Sequence, residues 1–458
     1  MIDVSVFKAY DIRGIYPTTI NEEIAYAIAQ GYANYVKPNG KVAVGRDVRL
    51  HSKDIQKAIM KGLTDAGIDV VDIGLISTDM CYFAVGNYGY AGGIQATASH
   101  NPPEWHGIKM IREKVIPLNL EEGIGQIRDF VVSGKKITSE KKGNVEHKNI
   151  EDDYCDFILK WLKKDMVKPM KIVVNPNFGY AGKIFEKIVS KACRPSAVNK
   201  TKLSIEIIKL NFEPDGNFPK GRPDPFIPEN RIEFSELVKS SNADLGIAWD
   251  ADADRVFFCA DGGTFVDPYY LNTILIKQML KDNPGQKVIY DPRYTWALID
   301  AIEGSGGIPL VSRVGHSYIK EMMRKEDALF ATESSGHTYY RDYWYADCGM
   351  IPVMQVINFL SENNIKLSEA VKPVMNKYFI SEEINTEVTD KIGKMEEIAK
   401  KYKDGEVSRL DGVAVEYSDY RFCVRPSNTE NLLRLTLEAK SEKLMEEKRG
   451  ELLELIRN

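Results

Sequence analysis

The chain has 458 residues, of which 43 % are hydrophobic and 28 % charged, with a formal net charge of -5. That length exceeds a single hydrophobic core and fits about three domains, while the ordinary composition fits a soluble globular protein. Without a basic excess there is no support for nucleic-acid binding, and no apolar run approaches a membrane span or follows a basic N-terminus as in a signal peptide.

In chain order, residues 41–45 read as a short apolar strand. Ser52 is then expected to cap a helix whose Ile55, Ile59 and Leu63 fall at helical spacing and which Gly67 stops. Strands follow over 68–74 and 92–96, and the charged stretch 139–144 resembles a boundary. The rhythm restarts with a strand at 171–174, a helix at 181–192 and strands at 204–210 and 244–249. It restarts again with strands near 288–290, 309–312 and 328–331. Repeated βαβ units predict parallel or mostly parallel sheets covered by helices. The last ninety or so residues differ: strands at 378–388, 414–417, 420–424 and 432–439, with helices at 391–403 and 442–457, predict a small antiparallel α+β module. The six cysteines (Cys81, Cys155, Cys193, Cys259, Cys348 and Cys423) are scattered without a CxxC pair. This excludes a zinc ribbon and predicts reduced thiols in a cytoplasmic protein.

The chemistry-bearing residues gather just after strands. The strand at 92–96 runs into Thr97-Ala98-Ser99-His100-Asn101-Pro102-Pro103, where two prolines enforce a rigid loop. Ser99 is either part of a locally hydrogen-bonded turn or a presented nucleophile with His100 beside it. Lys109 follows ten residues later, just past the Gly107 turn, as a surface charge or a phosphate-steadying cation. After the apolar run 244–249 come Asp250, Asp252 and Asp254, on alternate positions and separated only by alanines. Residues i, i+2 and i+4 point the same way in an extended segment, so three carboxylates converge and call for a hard cation such as Mg²⁺ or Ca²⁺. An EF-hand loop fails because Arg255 occupies the position that needs glycine. Arg255 instead suggests an anion shared with the metal. Further on, Gly315-His316-Ser317 starts a helix, and Glu333, Ser335 and His337 offer a dense set of groups for sugar hydroxyls. Arg425-Pro426-Ser427-Asn428-Thr429 reads as a phosphate cradle or a plain polar hairpin. No P-loop is complete, and no GxGxxG opens a helix after a strand.

These pieces in this order, together with the opening Phe7-Lys8-Ala9-Tyr10-Asp11-Ile12-Arg13-Gly14, resemble the α-D-phosphohexomutase superfamily, in its phosphomannomutase/phosphoglucomutase branch, over nearly the full chain. The resemblance implies three α/β domains and a C-terminal phosphate-binding lid around a central cleft, with boundaries expected at 1–148, 149–255, 256–368 and 369–458. It implies a phosphohexose mutase that carries a phosphoryl group on Ser99 and passes through a hexose 1,6-bisphosphate. Mg²⁺ is implied at Asp250, Asp252, Asp254 and a phosphoserine oxygen of Ser99. Glu333 and Ser335 would bind sugar hydroxyls, while Arg425, Ser427, Asn428 and Thr429 would hold the phosphate that is not reacting. Lys109 and His316 match acid/base positions, and Tyr10, Arg13, His100, Arg255 and His337 match positions around the site. The implied partners are small hexose phosphates, for a monomer or small homo-oligomer. Phosphoglucosamine mutase and a catalytically silent sugar-phosphate sensor are the alternatives. Departures from the family pattern fall at His106, where Asn is usual before the glycine, and at Thr332-Glu333-Ser334-Ser335, where Gly-Glu-Met-Ser is common. Lys220-Gly221-Arg222 also replaces a His-containing stretch. All three bear on substrate preference.

Overall fold

The computed structural model describes residues 3–194, 204–427 and 431–458. The chain divides into two compact units, Met1–Val266 with Gly336–Leu367, and Asp267–Ser335 with Ser368–Asn458. In the first unit a six-stranded sheet runs Ile12–Ile15, Trp105–Arg112, Gly92–Ala96, Val42–Arg46, Val70–Leu75, Val145–His147. Its last four strands are parallel, as the βαβ rhythm predicts. Trp105–Arg112 is antiparallel to both of its neighbours. Lys109 therefore lies within a central strand and not just past a turn. Gly107 makes that strand possible, because a Cβ there would stand 2.3 Å from the Ile12 carbonyl oxygen and 2.7 Å from that of Thr97.

The helix Ser52–Asp65 sends Ile55, Ile59 and Leu63 into the same core as Val42, Val44 and Ile94. Each such burial stabilises by roughly 1.5–3 kcal/mol. Ser52 does not cap this helix; it is the first helical residue, and its hydroxyl donates to Asp47 Oδ1. Gly67 follows the helix at φ +86°, left-handed backbone that suits glycine. The second sheet of this unit runs Phe265–Val266, Val256–Ala260, Leu245–Trp249, Met170–Asn175, Ile205–Lys209. Its Leu245–Trp249, Met170–Asn175 and Ile205–Lys209 strands are parallel, and Val256–Ala260 returns antiparallel beside Leu245–Trp249.

In the second unit Lys287–Tyr290 lies parallel between Ile308–Val311 and Phe330–Thr332. The C-terminal antiparallel sheet centres on Tyr420–Pro426 and Leu432–Ala439, with Lys391–Lys401 and Glu442–Arg457 packed on it through Ile398, Leu452 and Ile456. The single strand expected over 378–388 is two, Phe379–Ile380 and Ile384–Glu387, both paired with Leu432–Ala439. Between them the Ser381 hydroxyl accepts from the Leu437 N–H at 3.0 Å, taking a hydrogen bond that the ladder would otherwise use. The architecture is thus α/β with mixed sheets, followed by an antiparallel α+β module. All six cysteines are free thiols, and among the described residues no helix is long and apolar enough to cross a membrane.

Candidate active site

The strand Gly92–Ala96 is buried throughout and delivers Thr97 and Ser99 to its C-terminal end, where open α/β sheets place their ligands. The Thr97 hydroxyl accepts the Ser99 N–H at 2.9 Å, and Ser99 sits at φ +49°. Left-handed backbone at a residue with a Cβ costs about 1–3 kcal/mol, so surrounding contacts must hold it. Ser99 Oγ lies 2.9 Å from Asp250 Oδ2 and 3.1 Å from His100 Nδ1. Its one proton serves only one of them at a time. Burial, reinforced by Arg255, Arg13 and Arg222, pushes the His100 imidazole well below its usual range and keeps it neutral.

Asp250, Asp252 and Asp254 occupy the loop after Leu245–Trp249 and are all buried, with ligand oxygens within 4.8 Å of one another. A left-handed Ala253, at φ +58°, curls the loop, so the convergence comes from a turn and not from a continued strand. Asp250 Oδ2 accepts from Arg255 Nε at 2.9 Å and Nη2 at 2.8 Å. Asp252 Oδ2 accepts from Thr78 Oγ1 at 2.7 Å, Thr97 Oγ1 at 3.2 Å and Lys109 Nζ at 2.8 Å. Lys109 also donates to Asp254 Oδ2 at 2.5 Å. Asp252 Oδ1 and Asp254 Oδ1 are buried and accept no hydrogen bond among the described residues. Buried carboxylate oxygens left this way are costly, and two of them at one point fit a hard, oxygen-seeking divalent cation.

Electrostatics separates Asp250 from Asp254. Burial raises Asp250 to about 7 even though Arg255 opposes the shift. Burial also works against the Asp254 carboxylate, but Lys109, His337 and Arg255 outweigh it and hold the group well below the usual range. Lys109, although desolvated, is held firmly as an ammonium by Asp252 and Asp254. His337 Nε2 lies 3.5 Å from Asp254 Oδ1, and these two with Asp347 form an adjoining set of ligand-capable groups. Arg13 pairs with Asp11 at 2.7 Å and donates to the Ala98 carbonyl at 2.6 Å. Tyr10, half-buried, precedes the strand that carries Arg13. The first unit thus brings together Ser99, His100, Lys109, Arg13, the three aspartates, Arg255 and His337.

In the second unit Glu333 and Ser335 share the loop after Phe330–Thr332, with Glu333 buried. Two residues not singled out from the sequence organise it. Arg293 grips Asp291 with Nε to Oδ1 at 3.0 Å and Nη2 to Oδ2 at 2.9 Å, and reaches Glu333 Oε1 at 3.4 Å. Asp291 in turn accepts the Ser334 N–H at 2.6 Å. The available signal is the Asp-Pro-Arg run directly after the apolar strand at 287–290. His316 opens the helix His316–Glu326, as its glycine predicts. Asp411, also missed, accepts both the Val314 N–H at 3.1 Å and Arg425 Nε at 2.7 Å, so one carboxylate anchors the His316 and Arg425 loops. The Ser427 N–H donates to the Leu432 carbonyl at 2.9 Å. Asn428 and Thr429 lie outside the described residues.

Comparison with known proteins agrees along the whole chain. Residues 4–136, 152–263 and 267–378 match the alpha/beta/alpha domains I, II and III of phosphoglucomutase/phosphomannomutase, and residues 383–455 match its C-terminal domain. A phosphomannomutase of Vibrio cholerae is 39 % identical over 465 residues, covering 100 % of this chain and 99 % of the relative. A protein of Xanthomonas campestris described as phosphohexose mutases is 38 % identical, covering 98 % and 99 %. The crystal structure of a phosphoglucomutase/phosphomannomutase family protein from Burkholderia thailandensis superposes with a TM-score of 0.88 at 31 % identity, covering 99 % of this chain and 97 % of the other. With four matched domains in order and full-length relatives above 30 % identity, the chain belongs to the phosphoglucomutase/phosphomannomutase family of the α-D-phosphohexomutase superfamily.

Proposed function

We propose that the protein interconverts the 1-phosphate and 6-phosphate of mannose or glucose, with Ser99 as the phosphoryl carrier and a hexose 1,6-bisphosphate as intermediate and activator. The observation that carries this reading is the Ser99 hydroxyl 2.9 Å from Asp250, beside two buried carboxylate oxygens, Asp252 Oδ1 and Asp254 Oδ1, that accept no hydrogen bond among the described residues. In the forward half-reaction the free hydroxyl oxygen of a hexose monophosphate attacks the phosphorus on Ser99. The bond from phosphorus to Ser99 Oγ breaks, and the hydroxyl proton passes to a base, for which His316 is the proposed group. The second half-reaction runs in the opposite sense with the other phosphate, after the bisphosphate has turned over.

Asp250, Asp252 and Asp254 would hold Mg²⁺, which supplies charge offset for the transferring group when bound. Lys109, kept as an ammonium, serves as an acid or charge partner and not as the resting base. Arg255 adds a fixed cation beside Asp250. Glu333 and Ser335 are assigned to the sugar hydroxyls, and Arg425 with Ser427 to the non-reacting phosphate. The proposed domains 1–148, 149–255, 256–368 and 369–458 would then carry carrier loop, metal loop, sugar loop and phosphate lid in turn. The amino-sugar and sensor alternatives are not favoured, since the full-length relatives above are described as phosphomannomutase and phosphohexose mutases.

A coupled assay with Mg²⁺ and a trace of glucose 1,6-bisphosphate, comparing mannose 1-phosphate, glucose 1-phosphate and glucosamine 1-phosphate, tests the reading. Turnover of mannose or glucose phosphate is expected. Exclusive use of the amino sugar, or no turnover by folded protein, would overturn it.

A further inference from the structure

The Ser99 loop carries a set of contacts that the proposed chemistry does not use. Arg49, whose side chain is 0 % exposed, lies under it. Its Nη1 donates to the carbonyls of Pro102 at 2.7 Å and Trp105 at 2.9 Å, and its Nη2 to those of Ser99 at 2.7 Å and Asn101 at 2.6 Å. Arg222 Nε donates to the His100 carbonyl at 2.9 Å, and Arg13 takes that of Ala98. Five consecutive carbonyls, from Ala98 to Pro102, and that of Trp105 are therefore each held by a guanidinium. A loop of this shape has no ladder to satisfy its buried carbonyls, and the planar arginine fork supplies several donors in fixed directions.

Arg49 is itself located from both sides. Its N–H donates to Asp47 Oδ1 at 3.0 Å, and its Nε lies 3.3 Å from Asp47 Oδ2. On the other side the Phe218 ring lies 4.9 Å from the guanidinium carbon. The backbone at Gly216 bridges to Arg49 so closely that a Cβ on Gly216 would stand 2.2 Å from the Val48 carbonyl oxygen. The segment that supplies Gly216, Phe218 and Arg222 thus braces the Ser99 loop against Arg49.

We infer that Arg49, assisted by Arg222, is a positioning residue for phosphoryl transfer: it holds Ser99 in the left-handed conformation that puts its hydroxyl on Asp250. The inference rests on the reading of Ser99 as the carrier. Loss of the clamp lets the loop relax, so the transfer step slows while substrate binding, which uses other side chains, is kept. Displacement of a reacting group by about 1 Å is enough for a hundredfold loss.

The test compares wild type, Arg49→Lys and Arg222→Ala in steady-state kinetics with Mg²⁺. The rate of Ser99 phosphorylation by glucose 1,6-bisphosphate is followed in parallel by intact mass. Lysine cannot serve four carbonyls at once, so Arg49→Lys is expected to lower kcat about a hundredfold with KM within about twofold, and to slow phosphorylation in parallel. Arg222, whose side chain is 43 % exposed, can be removed without threatening the fold. Its alanine variant is expected to lose about fivefold in kcat with the same KM. If Arg49→Lys does not fold, Arg222→Ala alone decides. Unchanged kcat in the folded variants, or a raised KM with kcat retained, would overturn the positioning role. A wild type that turns over hexose phosphate but never carries phosphate on Ser99 would overturn the carrier reading, and the clamp with it.

Discussion

The Ser99 loop and the Glu333 loop both follow a buried strand, and each is organised by a buried arginine, but the two arginines grip different things. Arg49 takes main-chain carbonyls, so the side chains of Ser99 and His100 stay out of the scaffold and remain available for chemistry. Arg293 takes carboxylates, Asp291 and Glu333 together, and lies 3.7 Å from Glu383 as well. There the group proposed to meet the substrate, Glu333, is also part of the support. A main-chain grip separates positioning from chemistry, whereas a side-chain grip joins them. Changes to side chains in the first loop should act on rate alone, and changes around the second should move affinity and loop order together.

The sharpest test of that contrast is Ser99→Ala. Turnover should fall to the assay floor while the melting temperature stays within about 1 °C of wild type, because the alanine keeps every main-chain contact of the loop. Considerable residual turnover would remove Ser99 as carrier. Asp252→Asn ranks next: it changes a proposed metal ligand and one of the two carboxylate partners of Lys109, so Mg²⁺ affinity by calorimetry and kcat should each drop by about two orders of magnitude or more. Equal Mg²⁺ affinity in mutant and wild type would dissociate the three aspartates from the metal. Asp291→Asn should raise KM roughly tenfold or more, since Arg293 loses the bidentate one of its charged partners and the Ser334 N–H a strong acceptor. A pure kcat effect would contradict the side-chain grip.

The smallest effect lies away from both loops. Asp79 is buried, accepts hydrogen bonds from Tyr154 and Ser77, and is raised by burial from an ordinary 3.8 to about 6. The native state therefore holds that proton more tightly than the unfolded chain. Its contribution is fully present below pH 3.8, is lost as pH rises from there to about 6, and changes no further above. Asp79→Asn should flatten the dependence of the melting temperature on pH across that window. An unchanged slope would mean that Asp79 titrates normally.

What could be read along the chain was what is local. The βαβ rhythm, the antiparallel C-terminal module and the aspartates at 250, 252 and 254 all depend on residues a few positions apart. The strand Trp105–Arg112 escaped because Gly107 and scattered charges conceal an apolar run, and the strand is stabilised by pairing with Ile12–Ile15, far away in sequence. Ser52 looked like a cap because Ser commonly is one, but Asp47 offered its hydroxyl a buried partner that helical spacing does not reveal.

By itself the sequence determined which side chains end which strands, and hence that a serine, a carboxylate cluster and the Glu333-Ser335 loop are presented at strand ends, where open α/β sheets place their ligands. Tertiary structure decided how those groups are held and charged. The carbonyls that Arg49 grips lie 50 to 56 residues beyond it in the chain, and Lys109 meets its aspartates across more than 140. The physical reason is burial. Out of water, each carbonyl, carboxylate and ammonium must find its partner inside the fold, and only the folded arrangement of distant strands selects which partner that is.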